Sequence, residues 1–222
     1  MNPTREHDET RTTTKEPPAT RGRVLHSARA YDLLAWLFLH GREPAFRRRT
    51  IEIAGLTPGA SLLDVGCGTG TLAIAAKERV GAGGDVHGID ASPEMIARAR
   101  KKAKRAGLHV AFENAVVEAM PFADAHFDVL LCTLMLHHLP SATRGEGARE
   151  MRRVLKPGGR VVVVDFGAPG REEGGLFGRF HRHGRLDARE IVRVLEDGGL
   201  RVGDTGSLGV KDIQFVTATR AP

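Results

Sequence analysis

Two cysteines in 222 residues, Cys67 and Cys132, leave no basis for a disulfide framework, and no CxxC spacing offers a zinc knuckle or a redox pair. Both stand in apolar runs and read as small buried residues rather than nucleophiles. Long hydrophobic stretches are missing too. No segment supplies the about 20 apolar residues that span a bilayer, and no apolar run follows Met1, so the expectation is a cytoplasmic protein without signal peptide or membrane span. Aromatic residues are few, with one Trp and one Tyr. None interleaves with the basic run RARKKAKRAGL, which argues against a platform for stacking nucleic-acid bases.

What is abundant is glycine, 27 residues, and basic charge, 33 Lys and Arg against 27 Asp and Glu. Part of the excess lies in RARKKAKRAGL (98–108), which reads as the polar face and last turn of a helix ended by Gly107. A solvated helix face explains it without a polyanionic partner. Residues 1–23 are rich in Thr, Pro and mixed charge and bury too little to order a chain, so they are expected to be a disordered tail. The remaining length suits one α/β domain.

From Ser61 onward, short apolar runs bounded by Gly and Asp alternate with helix-length amphipathic segments. SLLDV, DVHGID, HVAFEN, FDVLLCT and GRVVVVDF read as strands; TLAIAAKERV, SPEMIARARKKAKRA and TRGEGAREMRRVL read as helices. The alternation predicts a Rossmann-like, doubly wound α/β sheet, mostly parallel. A helix with Asp187 near its start and a C-terminal antiparallel hairpin, RVGDTGSLGVKDIQFVTATR, close the domain. LKPGG ahead of the fifth strand reads as a helix stop. Two segments stand apart. Residues 24–44 hold Tyr31 and Trp36 on an amphipathic pattern and form a candidate helical lid; residues 167–186 are too long for an ordinary connection and form a candidate acceptor-site loop. The main domain is then 45–222.

The chemistry concentrates at LLDVGCGTG. Between a strand and a helix, glycines admit a ligand close to the backbone, and the helix start offers free N–H donors. The spacing Gly66-Cys67-Gly68-Thr69-Gly70 is shorter than a dinucleotide fingerprint, and Asp64 just before it suits an ammonium better than a phosphate. Asp90, ending the next strand, is placed to accept from ribose hydroxyls, with helix capping as its competing role beside Ser92. Both features point to an adenosine carrying an amino-acid tail.

Four stretches in order, LLDVGCGTG, HGIDASPEMI, AMPFADAHFDVLLCTLMLHHL and RVLKPGGRVVVVDF, resemble the successive motifs of class I S-adenosylmethionine-dependent methyltransferases, in the branch similar to ubiquinone/menaquinone C-methyltransferases. The resemblance implies S-adenosylmethionine as cofactor. It places Asp64, Gly66, Cys67 and Gly68 at the methionine end, Asp90 on the ribose, Ala91 and Met95 beside adenine, and Cys132 and Thr133 near the methionyl group. Val116 departs from the pattern, for relatives carry an Asp there that accepts from the adenine amino group. An unpaired amino group would weaken binding by about 1.5–3 kcal/mol. The Val117 amide can still serve adenine N1, and Glu118 or Asn114 can substitute for the missing acid.

Methyl transfer from a sulfonium asks the protein for alignment, desolvation and, with a weakly acidic acceptor, a base. The candidates are His137 (or its neighbour His138) after the fourth strand, and Tyr31 in the lid, whose ring could face a cation. His181 and His183 lack a third ligand at suitable spacing, so no metal is expected. The expected acceptor is a small or amphiphilic molecule, with no nucleic-acid partner. A phospholipid or quinone-type lipid acceptor at the membrane surface is the alternative, motivated by YDLLAWLFLHGREPAFRRR, an apolar run followed by a basic cluster. A second alternative, a non-catalytic cofactor-binding protein, is motivated by Val116. Peripheral membrane contact, and monomer against homodimer, are left open by the sequence.

Overall fold

Strand and helix patterns resolve into one seven-stranded sheet in a computed structural model that describes residues 20, 22, 42–167, 186–210 and 212–222. Nearly all of the predicted tail (1–23) and lid (24–44), Tyr31 included, and the body of the 167–186 loop lie outside the described residues.

Helix α1 (Glu43–Ala54) precedes β1 (Ser61–Val65), α2 (Thr71–Val80), β2 (Asp85–Asp90), α3 (Pro93–Ala106) and β3 (Ala111–Asn114). Next come β4 (Phe127–Thr133), a 3₁₀ turn (Leu136–His138), α4 (Ser141–Val154), β5 (Leu155–Phe166), α5 (Ala188–Asp197), β6 (Arg201–Ser207) and β7 (Ile213–Thr219). The strand order is β3-β2-β1-β4-β5-β7-β6, and β7 alone runs antiparallel to β5 and β6. The order reverses at β1, where the next strand along lies to one side and β4 to the other, so a crevice opens past the carboxyl ends of these strands.

Alternation along each strand sorts the core into two layers. Leu62, Leu131 and Val162 face α1, α2 and α3; Leu63, Leu130 and Val163 face α4 and α5. Strands buried on both faces read as unbroken apolar runs, as VVVV in β5 does.

Three local features differ from the sequence reading. First, α1 extends the domain upstream, with Phe46, Thr50 and Ala54 buried beneath it. Second, its basic cluster is paired within the helix: Arg47 with Glu43, and Arg48 and Arg49 with Glu52. Third, the KPGG stretch does not separate helix from strand. Leu155 already pairs with Phe127, and pairing resumes at Arg160 with Val129, so residues 156–159 bulge out within β5. Pro157 has no N–H for the ladder and Gly158 takes φ +75°, which fits a bulge near the start of the strand.

Candidate active site

The loop after β1 turns on Gly66 (φ +72°) and Gly68 (φ +52°), backbone that residues with a Cβ adopt at a cost. Gly66 and Cys67 both donate to the Ile89 carbonyl at 2.9 Å, which fastens the loop to the end of β2. A Cβ on Gly66 would stand 2.4 Å from Met135 Cγ, so this glycine lets the segment after β4 approach. Gly70 serves packing: a Cβ there would meet Phe112 Cζ at 2.6 Å and Ala99 Cβ at 2.8 Å.

Two acids flank this loop in opposite states. Asp90 Oδ2 accepts from the Gly68 amide and Oδ1 from the Ser92 amide, each at 2.9 Å. Burial raises its carboxyl above the ordinary range, and the Ser92 and Gly68 amides partly offset that rise. Capping of α3 falls to Ser92, whose hydroxyl accepts from Met95 N at 3.3 Å. Asp64 is 1% exposed, and neither of its oxygens has a hydrogen-bond partner among the described residues. Burial, and next the Asp90 charge, push its pKa from 3.8 to about 7; the nearby Ala73 amide, short of hydrogen-bond geometry, offsets little of this. A buried, partnerless carboxylate invites a cation.

A cleft of about 710 Å³, open mouth included, lies against this loop. Of the residues named from the sequence, Gly66, Gly68, Asp90, Ala91, Met95, Val116 and Val117 line it, and Asp64 lies behind them, off its wall. Glu118 joins them and accepts from the Thr20 hydroxyl at 2.9 Å, which brings one residue of the N-terminal segment to the wall. Asn114, whose Nδ2 donates to the Asp90 carbonyl at 2.8 Å, does not line the cleft. The segment carrying Val116 is clamped to α4 by Arg153, which donates to the Phe122 and Met120 carbonyls and pairs with Glu150 and Asp124.

The far wall corrects three predictions. Cys132 is fully buried, its side chain in the layer facing α4 and α5, and neither it nor half-buried Thr133 lines the cleft. Leu134, Met135, His138 and Leu139 form that wall instead, because the chain enters the crevice only after β4 ends. Leu134 makes the turn at φ +52°, unusual for a residue with a branched side chain. Cys67 likewise packs in the core rather than on the wall. Burial first, then the neighbouring acids, pushes both thiols well above their ordinary range, which keeps them inert.

His137 is not on the cleft wall; its neighbour His138 is. His137 Nδ1 lies 2.7 Å from Asp165 Oδ1, and its backbone N–H donates to Asp165 Oδ2 at 3.2 Å. Asp165, at the end of β5, is fully buried, and its Oδ1 also accepts from the Phe166 amide. An imidazole held through Nδ1–H on a buried carboxylate presents Nε2 as proton acceptor. Asp165 is not among the residues named from the sequence, although an acid closing the run VVVVD at a strand's carboxyl end was its signal.

Fold and cleft together define a Rossmann-like domain built for an adenosine cofactor with a cationic tail. The methyltransferase-domain family model matches residues 62–159. The demethylmenaquinone methyltransferase of Thermus thermophilus is 39% identical over 177 residues, covering 80% of this chain and 76% of that protein. The ubiquinone/menaquinone biosynthesis C-methyltransferase UbiE of Shewanella putrefaciens is 35% identical over 152 residues; that match covers 67% of this chain and 60% of the relative's length. A solved S-adenosylmethionine-dependent methyltransferase from Aquifex aeolicus superposes with a TM-score of 0.69 at 26% identity, covering 79% of this chain and 89% of that one. The chain belongs to the S-adenosylmethionine-dependent methyltransferases, and S-adenosylmethionine is its cofactor.

Proposed function

We propose that the protein methylates a ring carbon of a reduced quinone-type molecule, with His137 as base and Asp165 as its positioning residue. The His137–Asp165 contact of 2.7 Å carries this reading. The names of the Thermus and Shewanella relatives supply the acceptor class.

When bound, S-adenosylmethionine supplies an electrophilic methyl group on a sulfonium, open to in-line displacement. Asp64 would hold its ammonium, the Gly66 and Gly68 backbone would admit its methionyl part, and Asp90 would take the ribose hydroxyls. Val116 and Met95 would flank adenine, with the Glu118 carboxylate receiving the amino group that Val116 cannot. His137 Nε2 takes the proton from a ring hydroxyl of the acceptor, which shifts electron density onto the adjacent ring carbon. Asp165, desolvated and hydrogen-bonded, stabilises the imidazolium that results. The proton displaced from the ring carbon leaves to solvent.

The test is transfer of a labelled methyl group to a short-chain demethylated naphthoquinol under reducing conditions. Wild-type protein should give one methyl on carbon; His137→Ala should lower kcat about 10²–10⁴-fold with cofactor affinity retained. Full turnover in His137→Ala would end the base assignment, and no methylation of any quinol would end the acceptor assignment. A phospholipid acceptor gains little support from the basic cluster of α1, whose arginines are paired within their own helix.

A further inference from the structure

We propose that Asp85, His87 and His126 bind one divalent transition-metal cation of the Zn²⁺ class, at the sheet edge opposite the glycine loop. Asp85 opens β2 and His126 immediately precedes β4, so both stand at the amino ends of parallel strands. Asp85 and His87, two apart on β2, project to the same face. His126 reaches them across the start of β1. His87 Nε2 lies 3.0 Å and His126 Nε2 4.0 Å from Asp85 Oδ2, and the three ligand atoms all fall within 4.8 Å of one another.

Bonds of about 2.0–2.2 Å to a tetrahedral ion need ligand atoms about 3.3 Å apart, so His126 has to close by about 0.7 Å on Asp85 and by at most about 1.5 Å on His87. The side chains of His126 and Asp85 are 41% and 59% exposed, and the His126 ring leans on Phe127 (4.6 Å between centroids), along which it can slide. His87, 17% exposed, is held edge to face against Phe122 (5.3 Å between centroids) and Phe127 (5.5 Å). Its Nδ1 is buried with no hydrogen-bond partner among the described residues, so the ring is anchored through Nε2, the atom that would carry the ion. His126 is presented on backbone with Ala125 at φ +53°, and both residues donate to the end of α4 (Ala125 N to Arg153 O, His126 N to Val154 O). Two imidazoles and one carboxylate suit Zn²⁺ or its late-transition neighbours, whereas Mg²⁺ and Ca²⁺ require oxygen ligands. Water would complete the coordination on the open side. Such an ion would tie β2 to the turn before β4 over β1, a structural clip separate from the methyl-transfer cleft.

The test uses the full-length, tag-free chain stripped with a chelator and titrated with zinc chloride in a calorimeter, with thermal melts alongside. The expected result is one equivalent bound with a raised Tm, no response to magnesium chloride, and unchanged binding of S-adenosylhomocysteine. His126→Ala and Asp85→Asn should each weaken zinc at least about tenfold, while their metal-free melts report whether the fold survives. Absence of saturable binding, or equal binding in both variants, overturns the proposal. So does loss of zinc binding in His181→Ala/His183→Ala with His126 intact.

Discussion

The two walls of the cleft are built on different principles. On one side Gly66, Gly68 and Asp90 present backbone and a carboxylate already fixed by two amides. The rest of the lining, with Val116, Val117, Glu118, Met135 and His138, presents side chains on irregular segments after β3 and β4. The first wall is fastened by hydrogen bonds to the carboxyl ends of strands. The second depends on Arg153 and on one residue, Leu134, in left-handed backbone. We infer that cofactor binding rests mainly on the rigid wall and acceptor choice on the adaptable one.

The comparison breaks most sharply at Asp90. Asp90→Ala removes the anchor of Gly68 as well as the ribose acceptor, so calorimetry should record at least about a 100-fold loss of affinity, with two charge-assisted bonds gone. A loss below about fivefold would show that the glycine wall does not need its acid.

Asp64 separates the walls by pH. Its carboxyl ionises near 3.8 when unfolded and about 7 when folded. Its burial therefore costs nothing below pH 3.8, destabilises the cofactor-free fold progressively as pH rises toward 7, and does so fully above 7, by an amount on the order of 4 kcal/mol. An ammonium favours the ionised form, so S-adenosylmethionine affinity should rise with pH up to about 7 and then level off, with proton release on binding below that point. Asp64→Asn should abolish this dependence and weaken binding above pH 7 by about 10- to 100-fold. It should also raise the cofactor-free Tm at pH 8 but not at pH 4. A flat affinity profile in the wild type would sink the assignment.

Packing between the walls comes next. Gly66→Ala forces a Cβ into Met135 and should destabilise by about 2 kcal/mol in urea melts, through left-handed strain and overpacking. Adding Met135→Ala should recover the overpacking part only. The smallest effect belongs to the adaptable wall: Glu118→Ala should weaken the cofactor about five- to tenfold, and Val116→Asp should restore that loss. If Glu118→Ala binds normally, another group serves the adenine.

The strands, the helices other than α1, the antiparallel hairpin and the glycine turn were legible in the sequence, because period-two and helical patterns, glycine spacing and strand-end acids are local signals. Asp165, Met135 and the Arg153 clamp were not, since each acts through a partner distant in the chain: Asp165 meets His137 across 28 residues. Cys132 and Thr133 stop just short of the cleft wall, which begins at Leu134. A motif names the strand end, whereas the wall is set by where the backbone leaves the sheet. The bulge at 156–159 was hidden for a similar reason, because Pro and Gly-Gly mark a break without saying that pairing resumes beyond it.

Asp64, buried and without a hydrogen-bond partner among the described residues, bears on turnover. The spent cofactor keeps the ammonium tail that this carboxylate would hold and loses only its sulfonium charge. An interaction that grips fresh and spent molecules alike does nothing to expel the second. Progress curves should therefore bend early from product inhibition, and straighten when a hydrolase that destroys S-adenosylhomocysteine is added to the assay.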